Sequence, residues 1–193
     1  MDVEKDKVLG VTFFQGSIEV ACKLARKGGL LVAPSGPGMA SDLQNRTGYI
    51  TALLSAQVCL LDSGLISLWS KFFRSKALVR LSGLAFLKQY LKNTDWKKEK
   101  AFWVMPNQQD ADQMLAWLTK KYGFYFDEDS VYIAPNYPRA GTIEDIQLQE
   151  KIEQVDPCNI FIQIGGGVQE RLGLFLQSKV KHETSILCTG AAL

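Results

Sequence analysis

The run Ile160–Gly173, IFIQIGGGVQERLG, carries an apolar stretch into three glycines and then at once into Gln169, Glu170 and Arg171. An apolar run that stops at glycine reads as a strand buried on both faces, the condition of a parallel sheet covered by helices. The polar trio opens a helix, so the glycines mark the carboxyl end of the strand. Six further runs end in the same way at Gly, Pro, Asn or Asp: Val8–Phe14 (VLGVTFF), Leu30–Gly36 (LLVAPSG), Val58–Gly64 (VCLLDSG), Ala101–Asn107 (AFWVMPN), Val131–Asn136 (VYIAPN) and Ser185–Gly190 (SILCTG). Each is expected to be a buried strand.

Between them, apolar spacings of three and four predict helices over roughly 16–27, 38–56, 64–74, 82–92, 107–122, 143–155 and 168–179. Asn107 ahead of Asp110 is an N-cap signal, and Thr142 ahead of Glu144 and Asp145 places acids at the positive end of another helix. Strands alternating with helices predict an α/β fold, Rossmann-like, with a mostly parallel sheet and helices on both faces. The 193 residues suit one domain over 1–193, with no internal repeat or linker.

Composition narrows the function classes. Twenty-two basic against 20 acidic side chains give a net charge of +2, far from the basic excess of a nucleic-acid binder. The charge is nevertheless uneven: Lys71 to Lys100 holds nine basic residues against Asp95 and Glu99. Beside WSKFF (69–73), that stretch is either a solvated helix face or a surface for anionic lipid headgroups. Cys22, Cys59, Cys158 and Cys188 form no CxxC pair and read as small buried hydrophobes. The single His182 stands in a charged turn, and no Asp-x-Asp element occurs, so no metal or other cofactor is expected. MDVEKDKVLG carries no signal-peptide pattern, and a cytoplasmic protein is expected.

Ligands of an open parallel sheet bind outside the carboxyl ends of its strands. The candidates there are Ser35 and Gly36, Asp62, Met105, Tyr137, and Gly165 to Glu170. Glycine-rich helix starts such as APSGPG and GGGVQE can present backbone N–H groups to a phosphate, although plain turns look the same. Asp62, directly after VCLL, is either a general base at a strand tip or a cap for the helix starting near Ser63. Arg80 in LVRLSG is a fixed cation suited to phosphate, or one half of a surface ion pair.

In order along the chain, KVLGVTFF, LLVAPSGPGMA, ALLSAQVCLLDSGLISLWSKFF, VRLSG and CNIFIQIGGGVQERLGLFL resemble the WecG/TagA/CpsF family of glycosyltransferases. Asp62-Ser63-Gly64, Arg80-Leu81-Ser82-Gly83 and Gly165-Gly166-Gly167-Val168-Gln169-Glu170 stand where that family carries Asp-Gly, Arg-x-x-Gly and Gly-x-Pro-x-Gln-Glu elements. The resemblance implies an inverting, metal-independent transfer of a hexose or N-acetylhexosamine from a UDP-sugar to a polyprenyl-diphosphate-linked acceptor in cell-surface polysaccharide synthesis. It implies Asp62 as base, Arg80 and Gly83 at the phosphates, and Gln169 with Gly165, Gly166, Gly167 and Glu170 at the donor, alongside Ser35, Gly36, Met105 and Tyr137. A peripheral position on the inner membrane face follows; a homo-oligomer is compatible with it.

Three departures accompany the resemblance. Ala33-Pro34-Ser35-Gly36 replaces a Thr-x-Asn element, Gly167 replaces the late proline, and Val104-Met105-Pro106-Asn107 replaces Leu-Leu-Gly-Gly. The chain also ends at CTGAAL, before the Arg-rich tail expected of the family. The alternative from another class is a catalytically silent nucleotide-sugar-binding or assembly protein of the same fold. A dinucleotide-dependent dehydrogenase is excluded, because no GxGxxG follows the first strand.

Overall fold

A computed structural model of the chain describes residues 5–8, 10–34, 48–73, 78–124 and 126–190. Six strands, β3 (Gly29–Val32), β4 (Val58–Cys59), β5 (Ala101–Met105), β6 (Val131–Ile133), β7 (Asn159–Ile162) and β8 (Ser185–Cys188), form one sheet in the order β4-β3-β8-β7-β5-β6. Every pairing in it is parallel. Phe161 stands opposite Trp103 on one side and Leu187 on the other.

Successive side chains of a strand point to opposite faces, and here both faces are covered, which is why the strands read as continuous apolar runs. Leu30, Val32, Phe102, Val104, Ile160, Ile162 and Ile186 form a core with Tyr49, Leu53, Leu148, Ile152, Leu172 and Leu176. These come from helices α2 (Tyr49–Ser55), α6 (Ile146–Val155) and α7 (Val168–Gln177). Leu31, Trp103, Phe161 and Leu187 point the other way, onto α1 (Ile18–Ala25), α4 (Gly83–Lys92) and α5 (Gln108–Tyr122). There the rings of Trp103 and Phe161 stack with centroids 4.1 Å apart. The remaining helix, α3 (Gly64–Phe73), follows β4. The fold is therefore the expected α/β Rossmann-like arrangement.

Three expectations are corrected. Cys158, expected to be buried like the other cysteines, is exposed. Val8–Phe14 is not a strand of the parallel sheet: β1 (Lys5–Val8) and β2 (Val11–Phe14) pair antiparallel as a separate two-stranded sheet. Gly10 turns the chain between them with φ of 86°, a left-handed backbone that glycine adopts without strain. The helix expected from 143 opens instead at Ile146, because Asp145 is its N-cap and accepts from the Leu148 N–H at 2.9 Å. The cap expected at Asn107 is present: its Oδ1 accepts from the Asp110 N–H at 2.8 Å. Of the helix expected over 38–56, residues 38–47 lie outside the described residues.

Where α7 crosses the sheet, a side chain could not stand at Gly173. A Cβ there would lie 2.7 Å from Leu30 Cδ1 and 2.8 Å from Cys188 Sγ, so glycine sets the close approach of α7 to β3 and β8. That approach brings the first turn of α7 to the carboxyl ends of the central strands.

Candidate active site

With all six strands parallel, their carboxyl ends share one edge. Asp62 stands at the end of β4 and is partly exposed, its side chain at 22%. Its Oδ2 accepts from the Gly83 backbone N–H at 2.9 Å, and its Oδ1 lies 3.3 Å from the Arg80 guanidinium. The cap of α3 is the next residue: Ser63 Oγ accepts from the Ile66 N–H at 3.2 Å. The carboxylate is thus held across to α4 instead of closing its own helix. Two bonded oxygens leave lone pairs for a further donor, since an ionised carboxyl accepts about four hydrogen bonds.

The other strand ends converge on Asp62 through Gly83. A Cβ on Gly83 would come within 3.1 Å of Ala33 Cβ, 3.2 Å of Thr189 O and 3.3 Å of Asp62 Oδ2. The exits of β3, β4 and β8 and the start of α4 therefore meet at one point, which only a residue without a side chain fits closely. Thr189 also accepts a 3.0 Å hydrogen bond from Gln163 Nε2, at the end of β7.

On the other side of the β8 exit lies the GGGVQE turn. Gly165 and Gly166 are exposed and nothing stands within 4 Å of where their Cβ atoms would be, so the loop tip borders open space. Gly167 takes φ of 79° as the N-cap of α7, and its N–H donates to Glu170 Oε2 at 2.7 Å. Gln169 and Glu170 are buried. Gln169 Oε1 accepts from the Gly190 N–H at 2.9 Å, and its Nε2 donates to Glu170 Oε1 at 3.1 Å. Arg171, also buried, donates to three carbonyls, Gly167, Gly141 and Pro138, at 2.7 to 3.0 Å. The polar trio that follows the glycines thus holds the loop from below and ties it to the β8 exit.

Met105 and Tyr137 lie farther along the edge, at β5 and beyond β6. Met105 is buried and its carbonyl accepts from the Ala134 N–H at 2.8 Å. Tyr137 and Tyr132 both donate to Asp145 Oδ2, at 2.6 and 2.9 Å. Loss of solvent first, and then the bond to the Asp145 carboxylate, pushes the Tyr132 phenol up to about 12 and raises that of Tyr137 further. Both are held as neutral donors. Ser35 and Gly36 lie outside the described residues.

The structure therefore joins Asp62, Arg80 and Gly83 directly, and joins Gly167, Gln169 and Glu170 directly, with Thr189 and Gly190 between the two groups. Thr189, Gly190 and Gln163 were not singled out in the sequence, and Arg171, named there as one of the polar trio, was given no site role. The strand-terminal Thr-Gly of SILCTG was the available signal for the first two. Thiol chemistry is disfavoured here: burial raises Cys59 and Cys188 well above the ordinary thiol value, which withholds the thiolate. Among the described residues, no group of three or more His, Cys, Asp or Glu side chains is placed to hold a metal ion, and no helix is long and apolar enough to cross a membrane.

The model of the glycosyl transferase WecG/TagA/CpsF family matches residues 7–193, nearly the whole chain, and the chain belongs to that family. No curated protein matches the chain. The family's chemistry is glycosyl transfer, which moves a sugar from a nucleotide-sugar donor to an acceptor and releases the nucleotide.

Proposed function

We propose that this glycosyltransferase moves a hexose or N-acetylhexosamine from a UDP-sugar to a polyprenyl-diphosphate-linked acceptor, with inversion at the anomeric carbon and Asp62 as the general base. The observation that supports it is the double anchoring of Asp62, by the Gly83 N–H and by Arg80, at the edge where three strands end. A base needs a fixed position and spare acceptor capacity; the two bonds on Asp62 support the first and leave lone pairs for the second.

In the proposed step the acceptor hydroxyl oxygen attacks the anomeric carbon and its proton passes to Asp62. The bond from that carbon to the UDP oxygen breaks, and UDP leaves with the electron pair. Among the described residues, Arg80 offers a positive charge beside Asp62 for a phosphate oxygen, and the proposed step uses no metal. Gly165 and Gly166 admit the diphosphate to the backbone of the strand end. Gln169 fixes the Gly190 backbone from beneath; contact with the donor would use its second Nε2 N–H or the second lone pair of Oε1.

One observation favours the second reading, a nucleotide-sugar-binding protein without turnover: the polar atoms of Gln169 and the cap made by Glu170 are already committed within the chain. The separating experiment is thermal unfolding with UDP, UDP-hexoses, UDP-N-acetylhexosamines and CDP-sugars, followed by transfer to a synthetic lipid-diphosphate acceptor with and without EDTA. Ligand at about 100 times its Kd adds roughly 2.7 kcal/mol of stability, a readable shift. UDP-selective stabilisation with EDTA-resistant transfer is expected; no preference for UDP would overturn the donor assignment, and loss of transfer restored by magnesium or manganese would overturn metal independence.

A further inference from the structure

Helix α3 turns two large apolar side chains to solvent. Leu68 is 53% exposed and Phe72 75% exposed. Four residues apart, they lie on one face, one helical turn from each other. The helix is not free to roll and bury them. On another side Ser67 Oγ donates to the Leu78 carbonyl at 3.0 Å and Ser70 Oγ accepts from the Leu78 N–H at 3.1 Å, while Ile66 packs on the core. Val79, in the segment held along α3 by those serines, is exposed as well.

The charge along this stretch of sequence has one sign. From Ser63 to Thr94 the sequence contains six basic side chains and no acidic one, in a chain whose overall net charge is only +2. Of these, Lys71 lies within α3 itself, next to Phe72, and is exposed, and Arg80, near the other end of the α3 segment, is exposed and paired with Asp62. An amphipathic helix with an aromatic and an aliphatic side chain exposed on one face, an exposed lysine beside them and no acidic residue of its own has the chemistry of a lipid-headgroup interface. A protein partner of mixed charge would not select for the complete absence of acids. The face also adjoins the candidate site: α3 begins two residues after Asp62, and Arg80, paired with Asp62, ends the segment that runs along it.

We infer that the α3 face is a membrane-docking surface for an anionic bilayer, with Leu68 and Phe72 entering the boundary between headgroups and acyl chains and Lys71 resting on lipid phosphates. Docked in this way, the edge carrying Asp62 adjoins the bilayer, where a lipid-borne acceptor would present its sugar. The inference goes beyond the transfer reaction and does not depend on it, because docking needs neither donor nor acceptor.

Flotation of the full chain with vesicles tests it, comparing equal parts phosphatidylglycerol and phosphatidylcholine against phosphatidylcholine alone, with no sugar nucleotide or acceptor present. The chain is expected to float with the anionic vesicles, to remain behind with the neutral ones, and to be released at high salt. L68S/F72S is expected to weaken partitioning by about tenfold or more, and K71Q by roughly fivefold, with thermal unfolding midpoints and far-ultraviolet dichroism unchanged because all three side chains are exposed. Equal flotation of parent and L68S/F72S would overturn the inference, as would indifference of the parent to anionic lipid. If L68S/F72S instead converted a dimer to a monomer in light scattering while vesicle binding stayed the same, the face would be an interface between copies, and the inference would be wrong.

Discussion

The Asp62 carboxylate accepts the Gly83 backbone N–H at 2.9 Å across 21 residues of sequence, and so fixes the end of β4 to the first turn of α4. This one contact gives the carboxylate an orientation that its own helix does not provide. It also explains why Gly83 is glycine: its neighbours Ala33, Thr189 and Asp62 already stand at the limit of close packing.

Gly83→Val should therefore cost stability. The added Cβ meets backbone and buried side chain, so the expected loss is about 1–3 kcal/mol of overpacking. Urea unfolding measures it. A neutral or stabilising Gly83→Val would contradict the geometry.

Arg171 is a second organising residue. Its three hydrogen bonds to the carbonyls of Gly167, Gly141 and Pro138 join the GGGVQE loop to the segment ahead of α6. Lysine reaches one carbonyl at most with comparable geometry, so Arg171→Lys leaves buried acceptors unmet, at roughly 1–3 kcal/mol. The expected signature is a lowered urea midpoint together with faster amide hydrogen exchange around 138–141 and 165–168. Unchanged exchange in both segments would show that the guanidinium does not hold them together.

The tyrosines make an alkaline prediction with a definite sign. Desolvation, with the Asp145 carboxylate second, raises Tyr132 to about 12 from an ordinary 10.0, and desolvation raises Tyr90 to about 12. The folded chain keeps these phenol protons more tightly than the unfolded chain. Their contribution is complete below pH 10 and is lost as pH rises from there to about 12. Asp145→Asn retains the N-cap of α6 but removes the negative charge beside Tyr132 and Tyr137. Its stability should fall less steeply across that range than the parent's, as read by urea midpoints against pH; parallel curves would contradict the assigned cause.

Much of the fold was legible because burial on two faces leaves a direct trace in sequence. AFWVM at 101–105 is wholly buried, with Phe102 and Trp103 feeding opposite cores. The hairpin was not legible for the opposite reason: Val8-Leu9-Gly10-Val11 has the composition of a strand, and only the left-handed turn at Gly10 divides it. Local polar clusters were ambiguous in the same way, since Thr142, Glu144 and Asp145 all suit a helix start, and the bonds from Tyr132 and Tyr137 converge on Asp145. The strand-end position of Asp62 followed from VCLL, whereas its partner Gly83 depended on a contact 21 residues distant. For Gln169 the residue type suggested a ligand contact, but burial decides its present bonds, and no local pattern in GGGVQE carries that information.

The central claim is that Asp62 is the base of a transfer reaction. Asp62→Asn keeps the size of the side chain and an oxygen for the Gly83 N–H, while removing proton acceptance and the charge facing Arg80. Paired measurement of UDP-sugar affinity by titration and of sugar transfer to a lipid-diphosphate acceptor is the most direct test. The account predicts near-parental donor binding with turnover reduced ~10²–10⁴-fold, the contribution expected of a general base. Undiminished turnover in Asp62→Asn, or a parent chain that binds the donor and transfers nothing, would contradict it.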